Sequence, residues 1–308
     1  MSCKPRALTV FLFTASLFSA APIHTALAQG SCPCDVPSTA STGRWEQMSP
    51  SSSPPPRGQH SLVYDSARQR LVMVGGFQSC ADRTPVSDFT WEFDGEAWHQ
   101  ISTAHVPPLR YHTSLSYDSA RQRVVMFGGQ NKTDSFGDTW EYDGTDWYEV
   151  TVPNPPGACN TVVMEYDPIR AVSVLHRGSN AGHVCVGEGT TWEYDGLDWT
   201  QVSTSTVPLQ TVNGHRYMFD HAAGTMVYFA GDKAWDYNGV DYSLRHDFDC
   251  GDSAIAYDFD SQRFISGVGN GEGNSAWTFS PMWEWDGSAC STYRTSAGAP
   301  SDLSLIHI

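Results

Sequence analysis

The chain has 308 residues, 40% hydrophobic and 17% charged, enough apolar side chain for a large core and far from the composition of disordered or collagen-like chains. Lys and Arg number 18 against 34 Asp and Glu, a formal net charge of −16, so nucleic acid and anionic lipid are repelled over most of the surface. Aromatic residues at 12%, with 27 Gly and 18 Pro, favour short strands and many turns over helices.

Lys4 and Arg6 precede an apolar run from Ala7 to about Ala21, and Ala26-Leu27-Ala28 forms a small-x-small cleavage site. Residues 1–28 read as a signal peptide removed near Ala28, giving a secreted or periplasmic protein. Thr14, Ser16 and Ser19 interrupt the run and Pro22 follows it, so no stable membrane insertion is expected. Gln29 stands three residues before Cys32, where lipid attachment would ask for Leu. Export favours disulfides. Without Cys3, seven cysteines remain at 32, 34, 80, 159, 185, 250 and 290, an odd set with no Cys-x-x-Cys pair and hence a poor zinc site. Residues 29–56 form a Ser/Pro-rich lead-in with one strand-like stretch, Arg-Trp-Glu-Gln-Met-Ser at 44–49.

The remainder is repetitive. HSLVYDSARQRLVMVGG, ending at Gly76, matches TSLSYDSARQRVVMFGG, ending at Gly129, and three looser copies follow. Each is followed by a second block, TWEFDGEAW, TWEYDGTDW, TWEYDGLDW, AWDYNGVDY or MWEWDGSAC, whose first Trp falls at 91, 140, 192, 235 and 283. Every unit offers four strands. The first ends in an Asp-Ser-Ala-Arg type turn, and the second is apolar on both faces, as a strand between packed sheets must be. The third and fourth flank Asp-Gly or Asn-Gly, which supplies the positive φ of a tight hairpin. Five units result, at about 57–103, 104–151, 152–203, 204–245 and 246–293.

Four strands repeated about every 50 residues predict an all-β propeller. The paired glycines Gly75-Gly76 and Gly128-Gly129, the following Trp91 or Trp140 and the second Trp98 or Trp147 resemble bacterial kelch repeats, within the galactose oxidase-like superfamily, over roughly Arg44 to Tyr293. The later units drift to Arg177-Gly178, Ala230-Gly231 and Val268-Gly269, which is expected to be tolerated if one glycine of the pair suffices. Trp45 lies 53 residues ahead of Trp98 and reads as an orphan outer strand. Residues 294–308 begin another linker and end in SDLSLIHI, which fits no strand; a larger ring truncated there and a five-bladed ring are the two readings.

The loop before each first strand and the loop between the second and third strands emerge on one face, and the tight turns on the other. The former loops vary from FQSCADRTPVSDF to GDKAW, and resemblance to kelch proteins implies that a ligand sits on that variable face. Arg57, Arg110, His60 and His215 recur in register and read as structural. Non-recurring residues there are the binding candidates: Arg83, Lys132, Arg177, His183, Lys233, Glu272 and Trp277. Cys159 and Cys185 flank the same loop system and form a candidate disulfide. Asn131-Lys132-Thr133 is a glycosylation triplet. The expected function is a protein- or glycan-binding module with no cofactor, no metal and no nucleic-acid partner. The alternative is a carbohydrate-active enzyme on the same fold, a sugar mutarotase or galactose oxidase-like oxidase. No ligand-like His pair, Gly-x-Ser-x-Gly elbow, Walker loop or HExxH supports a specific chemistry, and no catalytic residue is assigned.

Overall fold

The structure is a computed structural model that describes residues 11–14, 44–47, 50–78, 83–87, 89–160, 162–177, 189–208, 216–230, 233–247, 254–258, 262–267, 282–285 and 290–293. Among these are 22 strands and no helix. β1 (Phe11–Thr14) pairs antiparallel with β2 (Arg44–Gln47), Phe13 opposite Trp45. The other strands form five four-stranded antiparallel sheets, each a meander in chain order. Sheet I holds β3 (Ser61–Asp65), β4 (Arg70–Val74), β5 (Thr90–Phe93) and β6 (Trp98–Ile101). Sheet II holds β7 (Ser114–Asp118), β8 (Arg123–Phe127), β9 (Thr139–Tyr142) and β10 (Trp147–Val150). Sheet III holds β11 (Val162–Asp167), β12 (Val172–Arg177), β13 (Thr191–Tyr194) and β14 (Trp199–Val202). Sheet IV holds β15 (Arg216–Asp220), β16 (Thr225–Ala230), β17 (Lys233–Tyr237) and β18 (Tyr242–Asp247). Sheet V holds β19 (Ala254–Asp258), β20 (Arg263–Gly267), β21 (Met282–Trp285) and β22 (Cys290–Tyr293). The architecture is all-β and propeller-like.

The second strand of each sheet explains why the sequence is apolar on both faces there. Val72 and Val74 pack toward sheet II with Leu115, Val124 and Trp147, whereas Leu71 and Met73 pack the other way with Phe93 and Trp98. All four are buried. Val125 and Phe127 meet Val162, Met164 and Trp199 of sheet III; Val174 meets Tyr217, Phe219 and Tyr228 of sheet IV; Val227 and Phe229 meet Tyr257, Phe264 and Trp285 of sheet V. Side chains alternating across one strand thus feed two successive interfaces.

The glycine pairs are fixed by the neighbouring sheet. Gly76 N–H donates to Arg110 O at 3.1 Å and Gly129 N–H to Cys159 O at 3.1 Å, fastening the loop before the next first strand. A Cβ on Gly75 would lie 2.4 Å from Arg110 O, and one on Gly76 would lie 2.9 Å from Gly58 O. In sheets I and II both positions, not one, are therefore closed to a side chain.

Candidate functional site

The two faces of the sheets use their polar residues differently. On the turn face, Arg68 Nε donates to Asp65 Oδ2 at 2.6 Å and its Nη1 to Glu92 Oε1 at 2.7 Å, and Tyr142 Oη of sheet II donates to the same Glu92 oxygen at 2.9 Å. The guanidinium also lies over the Tyr142 ring. Asp118, Arg121, Glu141 and Tyr194 repeat this between sheets II and III, and Asp167, Arg170, Glu193 and Tyr237 repeat it between III and IV. Burial raises the Tyr142, Tyr194 and Tyr237 hydroxyls well above the ordinary phenol range, with the paired glutamates adding to it. The aromatic wedges add a second row: Trp147 Nε1 donates to Thr90 Oγ1 at 2.9 Å and Trp199 Nε1 to Thr139 Oγ1 at 2.8 Å. These recurring charges and hydroxyls are occupied in holding sheet to sheet.

On the loop face the arginines that recur are also structural. Arg57 is 7% exposed and donates to Pro55 O and Gly75 O. Arg110 is fully buried, donates to Pro108 O and Gly128 O, grips Asp138 through both terminal nitrogens and covers the Phe136 ring at 3.9 Å. Burial would raise the Asp138 carboxyl, but Arg110 and the Trp140 indole hold it below the carboxylate range. His60 is lowered to about 4 by burial and by the Arg57 charge, so it is neutral at physiological pH.

The binding candidates separate under this geometry. Arg83 is exposed with φ +49°, and Lys132 is exposed at the tip of the sheet II loop. Lys233 opens β17 and pairs with Asp247 Oδ1 at 2.8 Å, both side chains largely exposed. Arg177 is turned inward: it is 2% exposed and donates to Pro156 O and to Ala158 O, and burial lowers its basicity. It stands in the register of Gly75 and Gly128, while Cys159 stands in that of Arg57 and Arg110. The Arg177 guanidinium is thus buried against the chain leading into β11 and is not presented to solvent, unlike Arg83 and Lys132. Cys159 is buried and disulfide-bonded. Cys185, His183, Glu272 and Trp277 lie outside the described residues.

The structure adds residues that sequence reasoning passed over. Asn160 Nδ2 donates to Gln130 Oε1 at 2.5 Å, tying the loop of sheet II to the approach of sheet III, and Tyr111 Oη donates to Asn131 O at 3.2 Å. Asn160 is 5% exposed, and its Oδ1 has no hydrogen-bond partner among the described residues. Phe77, Tyr111 and His112 make edge contacts at 5.3 and 5.8 Å. Asn recurs at the register of Asn160, as Asn213, and at that of Asn131, as Asn180, but only the folded loops bring each contacting pair together. Asn131 Oδ1 accepts Thr133 N–H at 2.8 Å and Asp134 N–H at 2.7 Å, so the loop carrying Lys132 is a built turn. Among the described residues no group of three His, Cys, Asp or Glu side chains is placed to hold a metal, and no helix is long and apolar enough to cross a membrane. No protein-family model matches the chain, and no curated protein matches it significantly.

Proposed function

We propose that the chain is an exported kelch-type β-propeller that acts as an interaction module, binding a protein or glycan on the variable-loop face. The observation that supports this reading is the division of labour between the faces. The recurring Asp, Arg, Glu and Tyr of the turn face are bound to one another, whereas the loops of the other face differ from sheet to sheet and present Arg83 and Lys132 to solvent.

The test is binding of the full chain to arrayed glycans and secreted proteins, repeated with Arg83→Ala plus Lys132→Ala and with Arg70→Ala plus Arg123→Ala. The latter pair is half-buried beside the tight turns, where each side chain bonds a neighbouring backbone carbonyl. A bound ligand is expected to lose at least tenfold in affinity with the first pair and to be unaffected by the second. The reverse pattern overturns the face assignment, and release of a chemically altered ligand overturns the binding-module reading.

A further inference from the structure

The turns between third and fourth strands share one set of bonds. Asp94 Oδ1 accepts the N–H groups of Glu96 and Ala97, Asp143 Oδ1 those of Thr145 and Asp146, and Asp195 Oδ1 those of Leu197 and Asp198. In sheet IV the residue at this place is Asn238, whose Oδ1 accepts Val240 N–H and Asp241 N–H, both at 2.9 Å. Both partners are donors, so the atom they bind is the amide oxygen. Gly239 follows at φ +89°. Sheet IV thus carries an amide in a turn that holds a carboxylate in sheets I to III.

The groups that an attack on this amide needs are in place. Asn238 is exposed, and among the described residues its Nδ2 makes no hydrogen bond, so nothing holds the leaving group. The Gly239 N–H, the nucleophile once it has lost its proton, makes none either, and Gly239 has no side chain to screen it. The oxygen that takes up negative charge during the attack is Oδ1, and two N–H donors already point at it. Arg170, shared with Asp167 and Glu193, adds a cation: its Nη1 is 2.7 Å from where a Cβ on Gly239 would lie.

We propose that Asn238 is a self-modification site, deamidated in the folded chain through attack by Gly239 N, with water as the only co-reactant. Gly239 N gives its proton to solvent base and bonds Asn238 Cγ; the bond from Cγ to Nδ2 breaks, and Nδ2 leaves as ammonia after taking a proton from water. The five-membered imide so formed is opened by water at either carbonyl. Opening at Cγ leaves an ordinary chain with an aspartate at 238, and this product has the bonds that Asp94, Asp143 and Asp195 already make. Opening at the main-chain carbonyl leaves an α-carboxylate and routes the chain through Cβ and Cγ, one atom longer. That atom falls between Tyr237 and Tyr242, which pair with each other and reach Glu193 and Thr191 of sheet III. The fold therefore accepts the first product and is loosened between sheets III and IV by the second. The other Asn-Gly pairs, at 213 and 270, lie outside the described residues.

The test incubates the full folded chain at mildly alkaline pH and follows the fragment carrying Asn238 by mass spectrometry, beside a synthetic peptide of residues 233–242. The folded chain is expected to convert the amide to a carboxyl at a rate within about tenfold of the peptide's. A slower rate means that the turn holds Cγ away from Gly239 N and overturns the proposal. Asn238→Asp, incubated in parallel, is expected to show no such conversion in this fragment and to unfold in urea at the midpoint of the fresh parent chain. The aged parent is expected to show an added transition at lower urea, in proportion to the β-linked aspartate found at 238 and absent from aged Asn238→Asp. The same added transition in both chains, or none where β-linked product is present, overturns the assignment of the two products. If Asn238→Asp does not fold, the comparison of chain with peptide decides alone.

Discussion

Arg245 Nη1 lies 2.6 Å from Asp220 Oδ2, the same union that Arg68, Arg121 and Arg170 make with their own turn aspartates, but reached from the outermost strand of sheet IV. The turn of sheet IV reads Asp220-His221-Ala222-Ala223, with Ala where the turns of sheets I to III have Arg. Arg245 restores the charge from the far side, pairs also with Asp236 at 2.6 Å, and lies over the Trp285 ring of sheet V. The inter-sheet staple is thus a requirement of place rather than of sequence position. Three of four examples have a tyrosine hydroxyl on the shared acid, and the fourth has an indole face.

Arg245→Ala leaves Asp220 and Asp236 without their cation between two sheets. Its side chain is 12% exposed, against 32% for Arg121, so solvent screens it less. A loss of about 2–3 kcal/mol is expected for Arg245→Ala and about 1–2 for Arg121→Ala. Adding Ala223→Arg to Arg245→Ala is expected to recover more than half of the loss. Thermal unfolding of the three variants checks this, and a double variant no better than Arg245→Ala refutes equivalence of place.

The strands and hairpins were legible because their signals are local: Asp-Gly turns, two-sided apolar second strands and the Trp spacing belong to one unit each. The inter-sheet chemistry was only half legible. Tyr142 and Trp147 could be read as wedges, but their acceptors, Glu92 and Thr90, lie some 50 residues away and become partners only when sheets stack. Arg177 misled for the same reason. It recurs nowhere at its own position, yet its guanidinium is buried against the Pro156 and Ala158 carbonyls of the chain leading into β11. The loop-face contact of Asn160 with Gln130 was not legible, since its two amides come from different units and different registers.

The glycine pairs give a prediction with an internal control. Gly75→Ala must place a methyl 2.4 Å from Arg110 O at φ +64°, whereas Gly95→Ala, at φ +101°, meets nothing within 4 Å. Gly95→Ala is expected to cost about 1–2 kcal/mol of backbone strain alone. Gly75→Ala is expected to cost at least about 2 kcal/mol more, because the docked loop must also move and Gly76 N–H loses Arg110 O. Denaturant midpoints of the two variants decide it; equal losses would show that the loop is not held there.

Between sheets III and IV a smaller side chain replaces the indole. Tyr242 bonds Thr191 as Trp199 bonds Thr139, and the remaining space holds the Tyr217 hydroxyl, bonded to Tyr242, and His176 Nδ1 at 3.2 Å from Tyr242 Oη. Burial raises the Tyr242 hydroxyl to about 12. Tyr242→Phe removes the group common to all three contacts and is expected to cost about 2–3 kcal/mol. Tyr242→Trp is expected to be no better unless Tyr217→Leu makes room, as Leu115 does beside Trp147. A double variant more stable than either single one in urea unfolding confirms the exchange; strict additivity contradicts it.

Glu165 is the acid that the staples do not use. It lies on β11 opposite Val174, in the register of Val63 and Ser116, and its hydrogen bond among the described residues comes from Tyr166 N–H at 2.9 Å. Burial pushes its carboxyl up to about 7, which the Tyr166 amide opposes only in part. Because the folded value lies above that of the unfolded chain, the folded state binds the extra proton. The neutral carboxyl's contribution is complete below about pH 4, declines as pH rises through 7, and is absent above it. The difference amounts to at most about 3 kcal/mol between pH 4 and pH 8. Glu165→Gln keeps the shape without the charge and is expected to flatten this part of the stability profile, gaining most at pH 8 and little at pH 4. Urea unfolding at both pH values measures it. A wild-type profile that Glu165→Gln leaves unchanged in slope would place the carboxylate in water rather than between the sheets.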